Sequence, residues 1–197
     1  MIVSIQGELS YLEPTYAIIE NQGIGYQVKI SLNTYAHLKN SGRMCKLHTH
    51  LHIKEDAHTL YGFSSEQEKR VFLYLISVNG VGPSIAMMML SSLTPGEVET
   101  AIAKEDLRTI QGIKGIGAKT AQRIILELKD KIKKEVSGDI LNQNTSSHNR
   151  LRQEALSALV TLGISKSVAE KNIDQIIKTQ GEALSLEQLI KQALKMN

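Results

Sequence analysis

The sequence predicts an α+β chain in three parts: a small N-terminal β-barrel, a middle helical domain, and a C-terminal unit of three helices. Three observations carry this. The hydrophobic period changes from strand-like to helical near residue 65. A glycine-centred pattern occurs twice, in register, inside the helical part. A polar stretch poor in large apolar residues then separates the last helical segments from what precedes them.

Up to residue 62, β-branched and aromatic residues come in short runs such as "YAIIE" and "GYQVKISL", broken by "EPT" and "NQGIG". Five such runs in about sixty residues predict a small barrel, assigned to 1–64, and an OB-type barrel is the natural candidate. The helical domain is assigned to 65–137. Ser64 or Ser65 followed by Gln67 or Glu68 offers a capping box, and Thr94-Pro95-Gly96-Glu97 offers another with proline at the first helical position. The domain ends in the basic tail "KDKIKK" from Lys129 to Lys134. "SGDILNQNTSSHN" then reads as a flexible linker, placed at 138–148. In 149–197 apolar residues recur at helical spacing over Leu151–Leu162, Ser165–Lys178 and Leu186–Lys195, with Ser185 and Gln188 capping the last.

Composition fits several small cores better than one large one. Aromatics make up 4% of the 197 residues and tryptophan is missing, so packing must rely on Leu, Ile, Val and Ala. The net charge of +3 discriminates little. Between Lys114 and Lys134, however, seven basic side chains face only Glu127 and Asp130. The single cysteine, Cys45, cannot close an internal disulfide and reads as a strand residue; with no basic-then-apolar leader, a reducing, cytoplasmic setting is expected. No apolar run reaches the roughly 18 residues of a membrane span.

The repeat carries the functional signal. "LISVNGVGPSIA" (Leu75–Ala86) aligns with "IQGIKGIGAKTA" (Ile110–Ala121) at an offset of 35 residues, sharing Gly-apolar-Gly and a later alanine. This is the pattern of a helix-hairpin-helix pair. Gly80 and Gly82, like Gly115 and Gly117, are expected to turn the chain through positive φ and to admit a partner close to the backbone. Val81 and Ile116 would anchor each turn in the core, and Ala86 and Ala121 would keep the helices close. Each turn then presents free N–H groups and the positive end of a helix dipole, which suits phosphate. The candidate DNA contacts are Asn79, Gly80, Val81, Gly82, Pro83 and Ser84 in the first copy, and Gly115, Ile116, Gly117, Ala118, Lys119, Thr120 and Arg123 in the second. Such contacts position a protein on DNA without reading bases. Glycines serving only as helix C-caps are the alternative; duplication in register and the following basic run weigh against it. A nucleotide-binding loop would need a preceding strand and Gly-Lys-Ser/Thr spacing, which neither copy has.

Two further features stand out. His48, His50 and His52 alternate in "HTHLHIKEDAHTLYGF" and share one face of a strand. Zinc held by two of them with Glu55, Asp56 or His58 is conceivable, but a solvated or subunit-facing histidine face is preferred, which would be pH-sensitive near neutrality. Glu55 and Asp56 belong at the tip of a hairpin, where acidic turn residues are ordinary. No nucleophile, P-loop or metal set stands out, so neither catalysis nor a cofactor is expected.

Taken together, "MIVSIQGEL", "GIGYQV", "KEDAHTLYGF", "NGVGPSIA" and "GIKGIGAKTAQRIILELKDK" in this order resemble the RuvA family of Holliday-junction branch-migration proteins, over essentially the whole chain. The resemblance implies a tetramer built on the OB barrel, a helix-hairpin-helix domain gripping duplex arms, and a mobile UBA-like third domain that docks on the RuvB ATPase, with RuvC cleaving exposed strands. Glu55 and Asp56 match the family's acidic pin, which repels phosphates at the crossover. In the third domain "LVTLGIS" resembles a UBA-like turn, giving Leu159, Leu162, Gly163 and Ile164 as partner-facing candidates. Ser84 and Ala118 stand where the family often has lysine, and Ile164 where an aromatic is common. Other readings are a base-excision enzyme, for which Lys119 with Glu127 is the nearest catalytic combination, and an interaction module with incidental DNA affinity.

Overall fold

The structure is a computed structural model that describes residues 1–142, 147–180 and 184–196. It divides into two compact units, Met1–Lys134 and Glu135–Asn197.

The first unit begins with β1 (Ser4–Leu12), β2 (Tyr16–Asn21) and β3 (Ile24–Ile30), then α1 (Leu32–Asn40), β4 (Met44–Ile53) and β5 (His58–Phe63). The strands close a barrel in the order β1-β2-β3-β5-β4, antiparallel except where β3 meets β5. This is the OB arrangement. Ile5, Ala17, Ile19, Val28, Ile30, Cys45, Leu47 and Leu60 fill its interior. Between β2 and β3, Gln22 at φ 51° and Gly23 at φ 80° form a two-residue turn of the kind that matches strand twist. The strand-like sequence reading passes over α1. Its start is set by Ser31, whose hydroxyl accepts from the Thr34 amide at 3.1 Å, and Gly42 follows it at φ 79°.

The outer wall of the barrel is the floor of the helical core. On α2 (Glu66–Ser77), Phe72 has its ring centroid 5.7 Å from His50, 5.2 Å from Tyr61 and 4.9 Å from Phe63. Tyr61 and Phe63 thereby join Val71, Leu75, Met89, Leu90, Ile102, Ile110, Ile124 and Leu128 in one apolar cluster. Of the solvated or subunit-facing histidine face expected from sequence, His50 and His52 are thus not fully solvated. His50 and His52 lie half-buried beside the rings of Phe72 and Tyr61, with His50 Nδ1 and His52 Nε2 buried and unpartnered.

A buried carboxylate joins barrel and helices. Glu68, 1% exposed, accepts from Ser31 Oγ, from Thr34 Oγ1 at 2.7 Å, and from the Ser64 amide and hydroxyl at 3.2 Å each. Its own amide donates to Ser65 Oγ at 3.1 Å, so Ser65 caps α2 while the glutamate side chain turns inward. Asn33 Nδ2 adds a second tie, donating to the Leu90 and Leu93 carbonyls at 2.6 and 2.9 Å.

The helical region continues through α3 (Pro83–Ser92), α4 (Pro95–Ala103), α5 (Leu107–Gln111) and α6 (Ala118–Asn142). Thr94 and Glu97 form the expected capping box on α4. One expectation is corrected here: α6 runs across Ser137 to Asn142, where composition predicts linker. The stretch holds no proline, and one interior glycine, Gly138, costs only about 1 kcal/mol against alanine. Residues 143–146 of that linker lie outside the described residues.

The second unit contains α7 (Ser147–Thr161), α8 (Lys166–Gln180) and α9 (Leu186–Lys195) around Ala155, Leu159, Ile164, Ala169, Ile173, Ile176, Leu189 and Ala193. A two-pronged Arg152–Asp174 contact, at 2.8 and 3.0 Å, ties α7 to α8, and Asn172 donates to the Ala193 carbonyl at 3.2 Å. Ser185 and Gln188 form the capping box of α9.

Candidate nucleic-acid interface

The two glycine patterns fold alike, atom for atom in their turns. The Val81 amide donates to the Val78 carbonyl at 3.0 Å, and the Ile116 amide to Ile113 at 3.1 Å. One turn on, Ala86 donates to Gly82 at 3.1 Å and Ala121 to Gly117 at 3.0 Å. Val78, Val81, Ile113 and Ile116 are buried, and Ala86 and Ala121 are wholly so. The apolar residue of each hairpin thus anchors it, and each alanine lets its helix pack closely, as the spacing predicts.

The glycines divide their work differently from the expectation. Only the first of each pair, Gly80 and Gly115, has positive φ, 88° in both. Gly82 is extended, at φ −88° and ψ 171°, and is the N-cap of α3. A Cβ built on Gly82 or Gly117 would meet no protein atom within 4 Å. The fold does not require glycine at these two sites; they leave open ground in front of a helix start. No side chain caps α3, so its first amides keep their donors for an outside acceptor.

The second copy offers the richer set of donors. Pro83 opens α3 and brings no N–H, whereas Ala118 opens α6 and keeps one. Lys119 is exposed one residue further on, and Thr120 is half-buried beside it. Further along α6, Lys129 and Lys133 turn away to Glu105, at 3.5 and 3.7 Å, so part of the basic run is already paired. Ser84 lines an open cleft of about 580 Å³ with Tyr16, Lys29, Leu32, Met87 and Met88.

Arg123 reaches across to the other hairpin. Its Nη1 donates to the Asn79 carbonyl at 3.0 Å, and its Nε lies 3.9 Å from Glu127 Oε1. Sequence reading placed Arg123 with the second copy and missed this contact. Met88 occupies the equivalent position of the first copy, and its sulfur lies 3.7 Å from where a Gly115 Cβ would be.

Glu55 and Asp56 are exposed in the turn between β4 and β5, closed by the Lys54 amide on the Ala57 carbonyl at 2.9 Å. In the second unit the four partner-facing candidates separate. Leu159 and Ile164 are buried in the core of the unit; Leu162 is 61% exposed beside Gly163, which ends α7 at φ 94°. The Ile164 amide donates back to Leu159 at 3.0 Å, which turns Ile164 inward. Among the described residues, no three His, Cys, Asp or Glu side chains gather as a metal set, and no helix is long and apolar enough to cross a membrane.

Fold and hairpin geometry define a class: an OB barrel fused to a tandem helix-hairpin-helix domain, with a separate three-helix unit. Residues 1–62 match the model described as RuvA N terminal domain, 72–130 the SAM-like helix-hairpin-helix tandem, and 150–196 the RuvA C-terminal domain. The chain is 54% identical over 200 residues to a protein of Cytophaga hutchinsonii named Holliday junction branch migration complex subunit RuvA, covering 100% of both. Proteins of the same name from Amoebophilus asiaticus and Bacteroides thetaiotaomicron are 50% identical over 195 residues and 41% over 203; the matches cover 99% of this chain and 100% and 99% of theirs. The chain belongs to the RuvA family.

Proposed function

We propose that this chain is the non-catalytic, junction-binding subunit of a branch-migration complex. One observation carries the reading: two matching hairpins, 35 residues apart, each set a helix start behind a glycine whose Cβ position is empty, and the first of these helices has no side-chain cap. Backbone amides recognise phosphate without regard to sequence, which suits a junction that moves along DNA. Lys119 supplies charge at the second hairpin.

The finer scheme follows from the family. Four copies assemble through their barrels with the Glu55–Asp56 turns at the centre. There the carboxylates repel the phosphates of the crossover, hold the junction open and square, and guide separating strands. The three-helix unit docks on the RuvB ATPase, with Leu162 as its exposed apolar contact, and RuvC cleaves the exposed strands. The protein acts in recombination and repair in the cytoplasm.

A gel-shift titration of a synthetic four-way junction against linear duplex of equal length, at moderate salt with magnesium, tests the reading. A strong junction preference with a discrete complex is the expected result, and addition of RuvB with ATP should then move the branch point. Equal affinity for both DNAs would overturn the junction assignment. Base release or strand scission by the protein alone would overturn its non-catalytic part.

A further inference from the structure

We propose that Arg123 is a brace that holds the two hairpins at a fixed spacing, and is not itself a phosphate ligand. The inference rests on the DNA-binding reading above for its consequence, but its structural half stands alone.

The guanidinium starts on the second hairpin's helix and ends on the first hairpin. It donates to the Asn79 carbonyl at 3.0 Å, and a Cβ on Gly80 would lie 3.8 Å from the same nitrogen. The Asn79–Gly80 peptide is the hinge of the first turn, because Gly80 carries the positive φ that sends the chain into α3. A donor fixed on that carbonyl sets the peptide plane, and the plane sets where the amides from Gly82 onward point. Glu127, one helical turn beyond Arg123, steadies the guanidinium from the other side and offsets its charge.

The contact has a counterpart under the internal repeat. Met88, 35 residues before Arg123, touches the space beside Gly115, the positive-φ glycine of the second hairpin. Each second helix therefore abuts the hinge glycine of the other copy, once through a hydrogen bond and once through a thioether. Two phosphate sites on one duplex act together only if their spacing matches that of the backbone, and then their contributions multiply. Loosening the brace should cost joint engagement while leaving each site's own donors intact.

A ligand and a brace differ in two measurable ways. A lost phosphate contact lowers the slope of log K against log salt by roughly 0.9, whereas a lost brace lowers affinity at unchanged slope. A brace also acts before DNA arrives. Full-length Arg123→Met, Arg123→Lys and Lys119→Met proteins would be compared with the parent. The first readout is amide hydrogen exchange of the DNA-free proteins at Val81. The second is junction affinity across about 50 to 200 mM salt.

For Arg123→Met, exchange at Val81, whose amide donates to the Val78 carbonyl, should quicken by about tenfold or more, and junction affinity should fall by about tenfold or more at unchanged slope, part of the roughly 10²–10⁴-fold gain that linked sites can supply. Arg123→Lys, which keeps the charge but not the fork, should restore neither. Lys119→Met should lower the slope and leave exchange unchanged. Unchanged exchange in Arg123→Met overturns the brace, as does a lowered slope with affinity restored by Lys. Should the parent bind no DNA, the binding reading fails while the exchange arm still decides whether Arg123 braces the hairpins.

Discussion

Alanine at the second glycine of each hairpin should separate DNA contact from folding. At Gly82 the backbone is extended and at Gly117 φ is not positive, and at both an added methyl meets no protein atom within 4 Å. Gly→Ala at such sites stabilises by about 0.4–1 kcal/mol, by narrowing the unfolded ensemble. For a chain of this size that raises Tm by roughly 1–4 °C. At Gly80 and Gly115, φ is 88° and the sign reverses: alanine costs roughly 1–2 kcal/mol, lowering Tm by roughly 2–8 °C. In the DNA complex the methyl at 82 or 117 occupies the approach of the phosphate. Loss of one hydrogen bond to a charged acceptor costs about 1.5–3 kcal/mol, or roughly 10- to 150-fold in affinity. Calorimetric melting together with fluorescence anisotropy on a labelled four-way junction reads both axes. Gly117→Asp should weaken binding further, since it sets a carboxylate against phosphate. A Gly82→Ala or Gly117→Ala protein that melts higher and binds the junction with undiminished affinity would refute the claim that the helix starts face DNA.

Removal of the buried Glu68 carboxylate by Glu68→Ala strands Ser31, Thr34 and the Ser64 amide; a loss on the order of 3 kcal/mol is expected, seen as a lower urea midpoint. The Asp174 carboxyl is held below the usual carboxylate range, chiefly by its hydrogen bonds from Arg152. Its stabilisation of the three-helix unit is therefore complete above the unfolded-state pKa of about 3.9 and is lost as pH falls through the lower folded value. Both groups are a third or more exposed, so the effect stays below about 1 kcal/mol, and acid melts of an Arg152→Met protein should lack it. Glu55→Lys with Asp56→Lys should bind junctions more tightly in gel shifts yet slow RuvB-driven branch migration, because the repulsion proposed at the crossover would become attraction. Leu162→Asp should leave the circular-dichroism spectrum intact while abolishing RuvB-stimulated migration, whereas Leu159→Asp, placing a charge at a wholly buried site, should unfold the three-helix unit.

What was legible from sequence, and what was not, follows from the range of the forces involved. Local signals were sufficient for Val81, Ile116, Ala86 and Ala121, and for the capping boxes at Thr94 and Ser185, because turn and cap geometry is set within a few residues. The helix α1 was legible in principle from Ser31 and Gly42, but the apolar run before it masked its start. Contacts made at long sequence separation were not legible. Nothing in "KTAQR" indicates that Arg123 reaches Asn79, and nothing in "HTHLH" indicates that Phe72 covers His50. Ile164 shows the same limit, since a residue following a Leu-Gly turn points inward or outward according to helices it meets only after folding.

The geometry of the first unit explains how DNA can be recognised by shape without any base being read. On the proposed reading, the amides behind Gly82 and Gly117 attract phosphate wherever the backbone passes, so alone they would favour any duplex equally. Discrimination needs a second, repulsive element at a fixed position, and on the proposed reading the exposed Glu55–Asp56 turn supplies it. For attraction and repulsion to act as a single gauge, the hairpins must not move against the barrel. That rigidity is what the shared wall supplies: Tyr61 and Phe63 belong to a barrel strand and to the helical core at once, while Glu68 and Asn33 tie the same elements by hydrogen bonds. A hinge between barrel and helices would let the hairpins follow a linear duplex past the acidic turn. The fused core removes that freedom, so under the proposed reading a duplex would satisfy the amides only where its path leaves the acidic turn free of phosphate.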